Sequence, residues 1–380
     1  GVSPFNDVLA GNISIWTQDV RADNGSGIGD AQEGNGSVYV RADGTVVSQE
    51  GSGISVRTGV QATNVSVTAA QDVIGRDWGL KVDHSGTGGI VIAAAGDVVG
   101  QEEDGVWVEA GPSSGFVTVD LQAVMGNDYG VRIDNSGLGG TVLRAAGPIL
   151  SNEIGIRTEN ETGSGELLID VADVSGVDAA IIAINNGGSN TFIRTGDLVS
   201  EGTALSVDNG ASAGGLTVFT GNVQANGAGI SVDNGGTGET LVVAEGVVTA
   251  VQGDGVSVSN SQLGQSLRID VDTVMAGDNG VSASHTGTGV VTVNTSASVI
   301  GAGGDGIRVH AGAQGTSATV TASAVTGGQN GIAVNNFGSG DTLVLSTGWV
   351  VGNQQDGVAV NNGQGAGDLA IVAIHAIGAA

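Results

Sequence analysis

A glycine followed by an alternating apolar pair returns about every 25 residues along this chain. The segments Gly53-Ile54-Ser55-Val56, Gly79-Leu80-Lys81-Val82, Gly105-Val106-Trp107-Val108, Gly130-Val131-Arg132-Ile133 and Gly155-Ile156-Arg157-Thr158 share it. So do Gly229-Ile230-Ser231-Val232, Gly255-Val256-Ser257-Val258, Gly306-Ile307-Arg308-Val309, Gly331-Ile332-Ala333-Val334 and Gly357-Val358-Ala359-Val360. The first group of anchors stands at 53, 79, 105, 130 and 155, a spacing of 26, 26, 25 and 25. A unit of this size cannot bury its own apolar side, so neighbouring units must stack.

Residues 229–254 show what one unit is. Ile230 and Val232 alternate with Ser231 and Asp233, the two-residue period of a strand. Asn234-Gly235-Gly236-Thr237-Gly238 is a turn. Leu241 and Val243, alternating with Val242 and Ala244, give a second strand, and Val248 begins a short third one. That third-strand residue falls 19 positions after the anchor at Val98, Val124, Ile149, Val174, Val248, Val274, Val299, Val325 and Val350. No helical pattern persists for three turns. The expected fold is all-β, a right-handed parallel β-helix (a solenoid) of about 15 coils with about 25 residues and three short strands per coil. Its continuous array is expected over 27–368, with an N-terminal coil or cap over 1–26 and a C-terminal apolar edge strand over 369–380.

Asparagine recurs at the end of the first strand, at Asn135, Asn160, Asn186, Asn209, Asn234, Asn260, Asn336 and Asn362. His84 and His285 take the same place in two other coils. Asparagine tolerates left-handed backbone, and amides stacked at the strand spacing hydrogen-bond as a ladder, so the row reads as structural turn chemistry. The period slips once, around Ala179–Asn186, where the anchor glycine is missing. The best register there puts Ile182 and Ile184 inward and shortens the next turn by two residues, which preserves side-chain parity.

Glycine contributes 70 of the 380 residues and proline only 3, with no three-residue period, so the chain is not collagen-like. Its plentiful branched aliphatics exclude a disordered linker. The formal net charge of −28 makes nucleic acid and anionic lipid poor partners. There is no cysteine, hence no disulfide or thiol chemistry. No apolar run is long enough to span a bilayer as a helix. The start, Gly1-Val2-Ser3-Pro4, has no signal-peptide character, which suits a cytosolic chain or a mature exported fragment.

The pattern Asp/Asn-Gly-Ile/Val-x-Val-x-Asn is clearest in Asp305-Gly306-Ile307-Arg308-Val309, Asn330-Gly331-Ile332-Ala333-Val334-Asn335-Asn336 and Asp356-Gly357-Val358-Ala359-Val360-Asn361-Asn362. It resembles the glycine-rich repeats of autotransporter passenger domains, the secreted β-helical surface proteins of Gram-negative bacteria. The resemblance runs from about residue 27 onward and rests on structural residues. It implies export to the cell surface and a role as adhesin, filament or biofilm component.

Function is sought where the repeat departs from itself. Positions two and four after the anchor carry Lys81 and Asp83, Trp107 and Glu109, Arg132 and Asp134, and Arg157 and Glu159 in four consecutive coils. Arg57 extends the row, and Trp78 and Tyr129 stand just before their anchors. Later coils carry Ser206, Ser231, Ser257 and Ser282 instead. The patch Trp78, Lys81, Trp107, Glu109, Tyr129, Arg132, Asp134 and Arg157 reads either as a glycan- or partner-binding site or as a salt-bridge ladder between stacked acids. A polysaccharide lyase or hydrolase of the tailspike type is the enzymatic alternative. No catalytic or metal-ligand set is expected: nucleophile-elbow, phosphate-loop and zinc-protease motifs do not occur. No cofactor is expected beyond weak calcium binding by acidic turns such as Gln101-Glu102-Glu103-Asp104. The expected partners are further copies of the chain stacked end to end through the apolar strand near Leu369–Ile377, and host or matrix glycans or proteins.

Overall fold

The structure is a computed structural model that describes residues 1–6 and 11–379. Residues 7–10, within the expected N-terminal region, and Ala380, within the expected C-terminal edge, lie outside the described residues. Every regular element among the described residues is a strand. The chain forms two compact units, residues 1–189 and 190–380.

Each unit is a parallel β-solenoid. In the first, the opening strands of successive coils pair in chain order: Phe5–Asn6, Ile28–Gln32, Ile54–Thr58, Leu80–His84, Val106–Ala110, Tyr129–Asn135, Ile154–Asn160 and Ala179–Asn185. In the second they are Thr203–Asn209, Ile230–Asn234, Val256–Asn260, Val281–His285, Ile307–Ala311, Ile332–Asn336 and Val358–Asn362. Eight and seven such strands make about 15 coils of roughly 25 residues. The second and third strands pair likewise, and in several coils they are one strand bent at a register shift. Ile90–Gly100 shifts between Ala94 and Asp97, and Thr240–Ala250 between Ala244 and Val247.

The register is that of like on like. Leu80 lies beside Ile54 and Val106, and Val82 beside Val56 and Val108. Alternation turns these side chains inward, where they are fully buried. All nine third-strand residues named above are buried as well. Each such aliphatic side chain contributes about 1.5–3 kcal/mol by leaving water, so the repeat is held by columns rather than by one central core.

Crowding, rather than backbone conformation, selects the anchor glycines. A Cβ on Gly79 would stand 2.6 Å from the Gly105 carbonyl oxygen and 2.7 Å from Val98 Cγ1. On Gly105 it would stand 2.3 Å from Val124 Cγ1. None of the anchors has a positive φ; Gly25, Gly163, Gly289 and Gly365 are the glycines that do.

Near the missing anchor the structure differs from the expected slip. Ile156 pairs with Ile181 and Thr158 with Ala183, so Ile181 and Ala183 point inward while Ile182 and Ile184 face outward. Ala180 and Ala204 hold the anchor places, which makes the spacing from Gly155 through to Gly229 25, 24 and 25. The period barely slips. The run of alternating Ala and Ile satisfies two registers equally well on paper, and only pairing to the preceding coil decides between them.

Candidate functional site

The polar row at the end of the first strand lies inside the solenoid. Asn135, Asn160, Asn185, Asn209, Asn234, Asn260 and Asn336 are buried, and Asn362 is half-buried. Asn185 pairs with Asn160 and holds the place expected for Asn186, which follows the strand. Among the described residues no non-glycine residue has a positive φ, so left-handed backbone is not what selects asparagine here. The amides of Asn135, Asn160, Asn185, Asn234, Asn260 and Asn336 instead brace their own turns. Oδ1 of Asn135 accepts from the Gly137 amide at 2.9 Å, and its Nδ2 donates to the Gly139 carbonyl at 3.0 Å. Asn336 does the same with Gly338 and Gly340. The amides also connect from coil to coil, Asn209 to Asn234 and Asn234 to Asn260, each at 3.3 Å. Buried threonines complete the spine, Thr141 donating to Asn160 at 2.6 Å.

Both histidines of the row are buried and their pKa values are pushed down, first of all by desolvation. Nε2 of His84 lies 3.1 Å from the Gly88 carbonyl, so this nitrogen donates and Nδ1 accepts from the Thr58 hydroxyl at 2.6 Å. His285 Nδ1 accepts from the Asn260 amide at 3.2 Å. His310 lies on the outer face and packs against Phe337. The two histidines of adjacent coils are therefore on opposite faces of the sheet.

The outward positions of the first unit bring the aromatic and charged residues together. Lys81 pairs with Trp107, Trp107 with Arg132, and Arg132 with Arg157. The rings of Trp78 and Trp107 stack with centroids 5.8 Å apart and planes 30° apart. Lys81 Nζ lies 3.8 Å from one centroid and 3.9 Å from the other. These distances place the ammonium in the mouth of a V formed by two indoles. Arg132 lies over Tyr129 and Trp107, at 5.5 and 5.9 Å. Burial against the rings pushes the Lys81 pKa down, while Asp83 and Glu109 oppose the shift. The indole faces themselves favour the charged amine.

The carboxylates of this face are largely engaged. Asp83 meets Arg57 at 3.5 Å, and Asp134 meets Arg132 at 2.7 Å. Arg157 bridges Asp134 of the preceding coil and Glu159 of its own. Glu109 is exposed. Asp104, buried at the turn before Gly105, accepts the Tyr129 amide at 3.2 Å, and desolvation pushes its carboxyl up to about 6.

The second unit contains features that its sequence does not announce. From Gly255 onward, the residue before each anchor reads Asp254, Asn279, Asp305, Asn330 and Asp356. The first four accept the backbone amide one coil on, as Asp254 does from Asn279 and Asp305 from Asn330, both at 3.0 Å. Asparagine amides donate back to the acids: Asn279 to Asp254 at 2.9 Å and Asn330 to Asp305 at 2.8 Å. Alternation keeps carboxylates from stacking directly on one another. A shallow depression of about 690 Å³ lies over the second strands, lined by Phe219, Leu241, Arg268 and Thr292 among others. Phe192 and Phe219 pack beside it at 5.9 Å. These residues are 22 to 27 apart in sequence and share no motif.

Among the described residues, no three His, Asp or Glu side chains converge as a metal-holding group. No protein-family model, curated protein or solved structure matches the chain.

Proposed function

We propose that this protein is a non-enzymatic structural and adhesive β-helix of the surface-exposed, passenger type, whose first unit carries the binding face. One observation carries the reading: the aromatic and cationic side chains gather on one outward face of four consecutive coils, while the same positions in the first four coils of the second unit are serines. Ion pairs between coils account for the arginines, but stacking alone gives no reason for two tryptophans and a tyrosine on the same outward, half-buried strip. Rings and guanidinia in such a strip suit a glycan, whose C–H faces stack on aromatics and whose hydroxyls take hydrogen bonds.

The test is a glycan array and a panel of matrix proteins probed with purified chain. Wild type is expected to retain a defined set of ligands, and the double variant Trp107→Ala/Arg132→Ala to lose them while keeping its strand circular dichroism. Absence of any wild-type ligand, or full binding by the double variant, would overturn the reading.

A polysaccharide-degrading activity is the second reading, and Asp104 is what favours it. A buried carboxyl titrating near pH 6 beside Trp107 and Tyr129 has the character of a general acid. Against it, Asp254, Asp305 and Asp356 occupy the same turn position in plain coils. Release of reducing ends from an acidic polysaccharide, lost in Asp104→Asn, is the outcome that would replace the adhesive reading with this one.

A further inference from the structure

We infer that the Lys81 ammonium, set between Trp78 and Trp107, is a subsite for the carboxylate of an acidic sugar of the uronate type. The inference rests on the adhesive reading and names the chemistry its ligand must carry. Lys81 is the only lysine of the chain. On this face Arg57, Arg132 and Arg157 each have a carboxylate within ion-pair distance. Lys81 has none among the described residues, and its three N–H groups have no protein acceptor there. Its close contacts are two π faces, and Asp83 and Glu109 act on its charge only from beyond ion-pair distance. A half-buried cation with unused donors gains most from an anionic acceptor, because a charge-assisted hydrogen bond is about twice as strong as a neutral one. The indole N–H of Trp107, buried in the same cluster, also lacks an acceptor. Tyr129 and Arg132, one strand beyond Trp107, provide an aromatic face and a planar cation for the body of the sugar.

The charge of the whole chain sets the class of anion. A net charge of −28 repels dense polyanions such as nucleic acid. At physiological salt that field is screened beyond about 8 Å, so a ligand with one charge per sugar responds mainly to the groups that touch it. Glu109, exposed beside the site, opposes the ligand.

A single lysine allows a direct test on the full chain. Labelling lysine with ¹³C at Cε gives one signal, expected upfield of a free lysine because two indole rings face it. Titration with oligogalacturonate should move that signal, and the fully methyl-esterified oligomer, which has the same backbone without charge, should not. Lys81→Met is expected to weaken oligogalacturonate binding about tenfold or more in calorimetry, and Glu109→Gln to tighten it. An unshifted free signal overturns the geometry behind the inference. An upfield signal that stays still with oligogalacturonate, or moves equally with the ester, overturns the ligand class. Array binding that persists in that case leaves the adhesive reading standing.

Discussion

The two units solve the same packing problem and differ in what they place outside it. Inside, both stack Val, Ile and Leu in columns and brace the same turn with a buried amide, Asn135 in one and Asn234 in the other. Outside, the turn before the anchor carries Trp78, Asp104 and Tyr129 in the first unit and, from Asp254 onward, an alternation of Asp and Asn in the second. Eight of the nine ion pairs among the described residues belong to the first unit; the ninth is Arg268–Asp270. In the second unit Asp208 has Asp233 as a neighbour with no cation between them, and its pKa is raised by burial first and by Asp233 second. The second unit satisfies its outward turn acids by repetition, with unpartnered buried atoms at Thr220, His285 and Thr295. The first breaks the repetition and leaves groups unsatisfied: the donors of Lys81, the indole N–H of Trp107, and a buried acid in its interior.

That acid is Asp30. It pairs with Val56 in the core register, and neither carboxylate oxygen has a hydrogen-bond partner. Burial pushes its pKa up to about 6; the nearby Ala31 amide favours the charge but is not aligned as a donor. The unfolded carboxyl titrates near 3.8 and the folded one near 6, so the folded chain holds the extra proton between them. Stability from this group is therefore complete below pH 3.8 and lost as pH rises to about 6. Two units of pKa correspond to about 3 kcal/mol. Asp30→Val, copying the next coil, is expected to stabilise the first unit more at pH 7 than at pH 4, by up to about 3 kcal/mol. Urea melts at both pH values measure this. Equal stabilities at pH 7 would mean that the first unit carries no such defect.

The interior spine sharpens the comparison from the other side, since it is common to both units. Asn234→Ala strips the Gly236 amide and Thr240 of a partner and is expected to cost about 2 kcal/mol. Asn135→Ala, which strips Gly137 and Thr141, should cost the same. Unequal losses in denaturant melts would show that the units differ inside as well as outside. The smallest effect is expected on the outer ladder. Asn330→Asp lines up carboxylates in three successive coils and should destabilise the second unit by about 1 kcal/mol, mostly recovered in 1 M salt. A loss insensitive to salt would assign the alternation to hydrogen bonding alone.

Most of the fold was legible because a solenoid repeats its instructions. Anchor, alternation and third-strand residue each recur in nine or more coils, so chance cannot imitate them. Reading failed where the residues themselves were degenerate. Ala179 to Asn186 alternates Ala and Ile in both parities, so neither the inward pair nor the spine asparagine was fixed by that segment. Asn185 and Asn186 are the same residue one position apart, and parity alone places one in the interior. The left-handed explanation of the asparagines failed for a related reason: a side-chain amide can close a turn by hydrogen bonds without any unusual backbone.

The candidate face was legible as a list of residues but not as a site. Their spacing placed Lys81, Trp107, Arg132 and Arg157 on adjacent strands. It did not say that the guanidinia would take the carboxylates and leave the ammonium between two indoles. The sequence by itself determined the coil, the parallel stacking and which positions face out, because these follow from a period and from parity. The tertiary structure decided which outward neighbours pair and which buried group, such as Asp30, is left alone. Pairing depends on side-chain reach and competition among neighbours within a few ångströms, and no linear spacing encodes that.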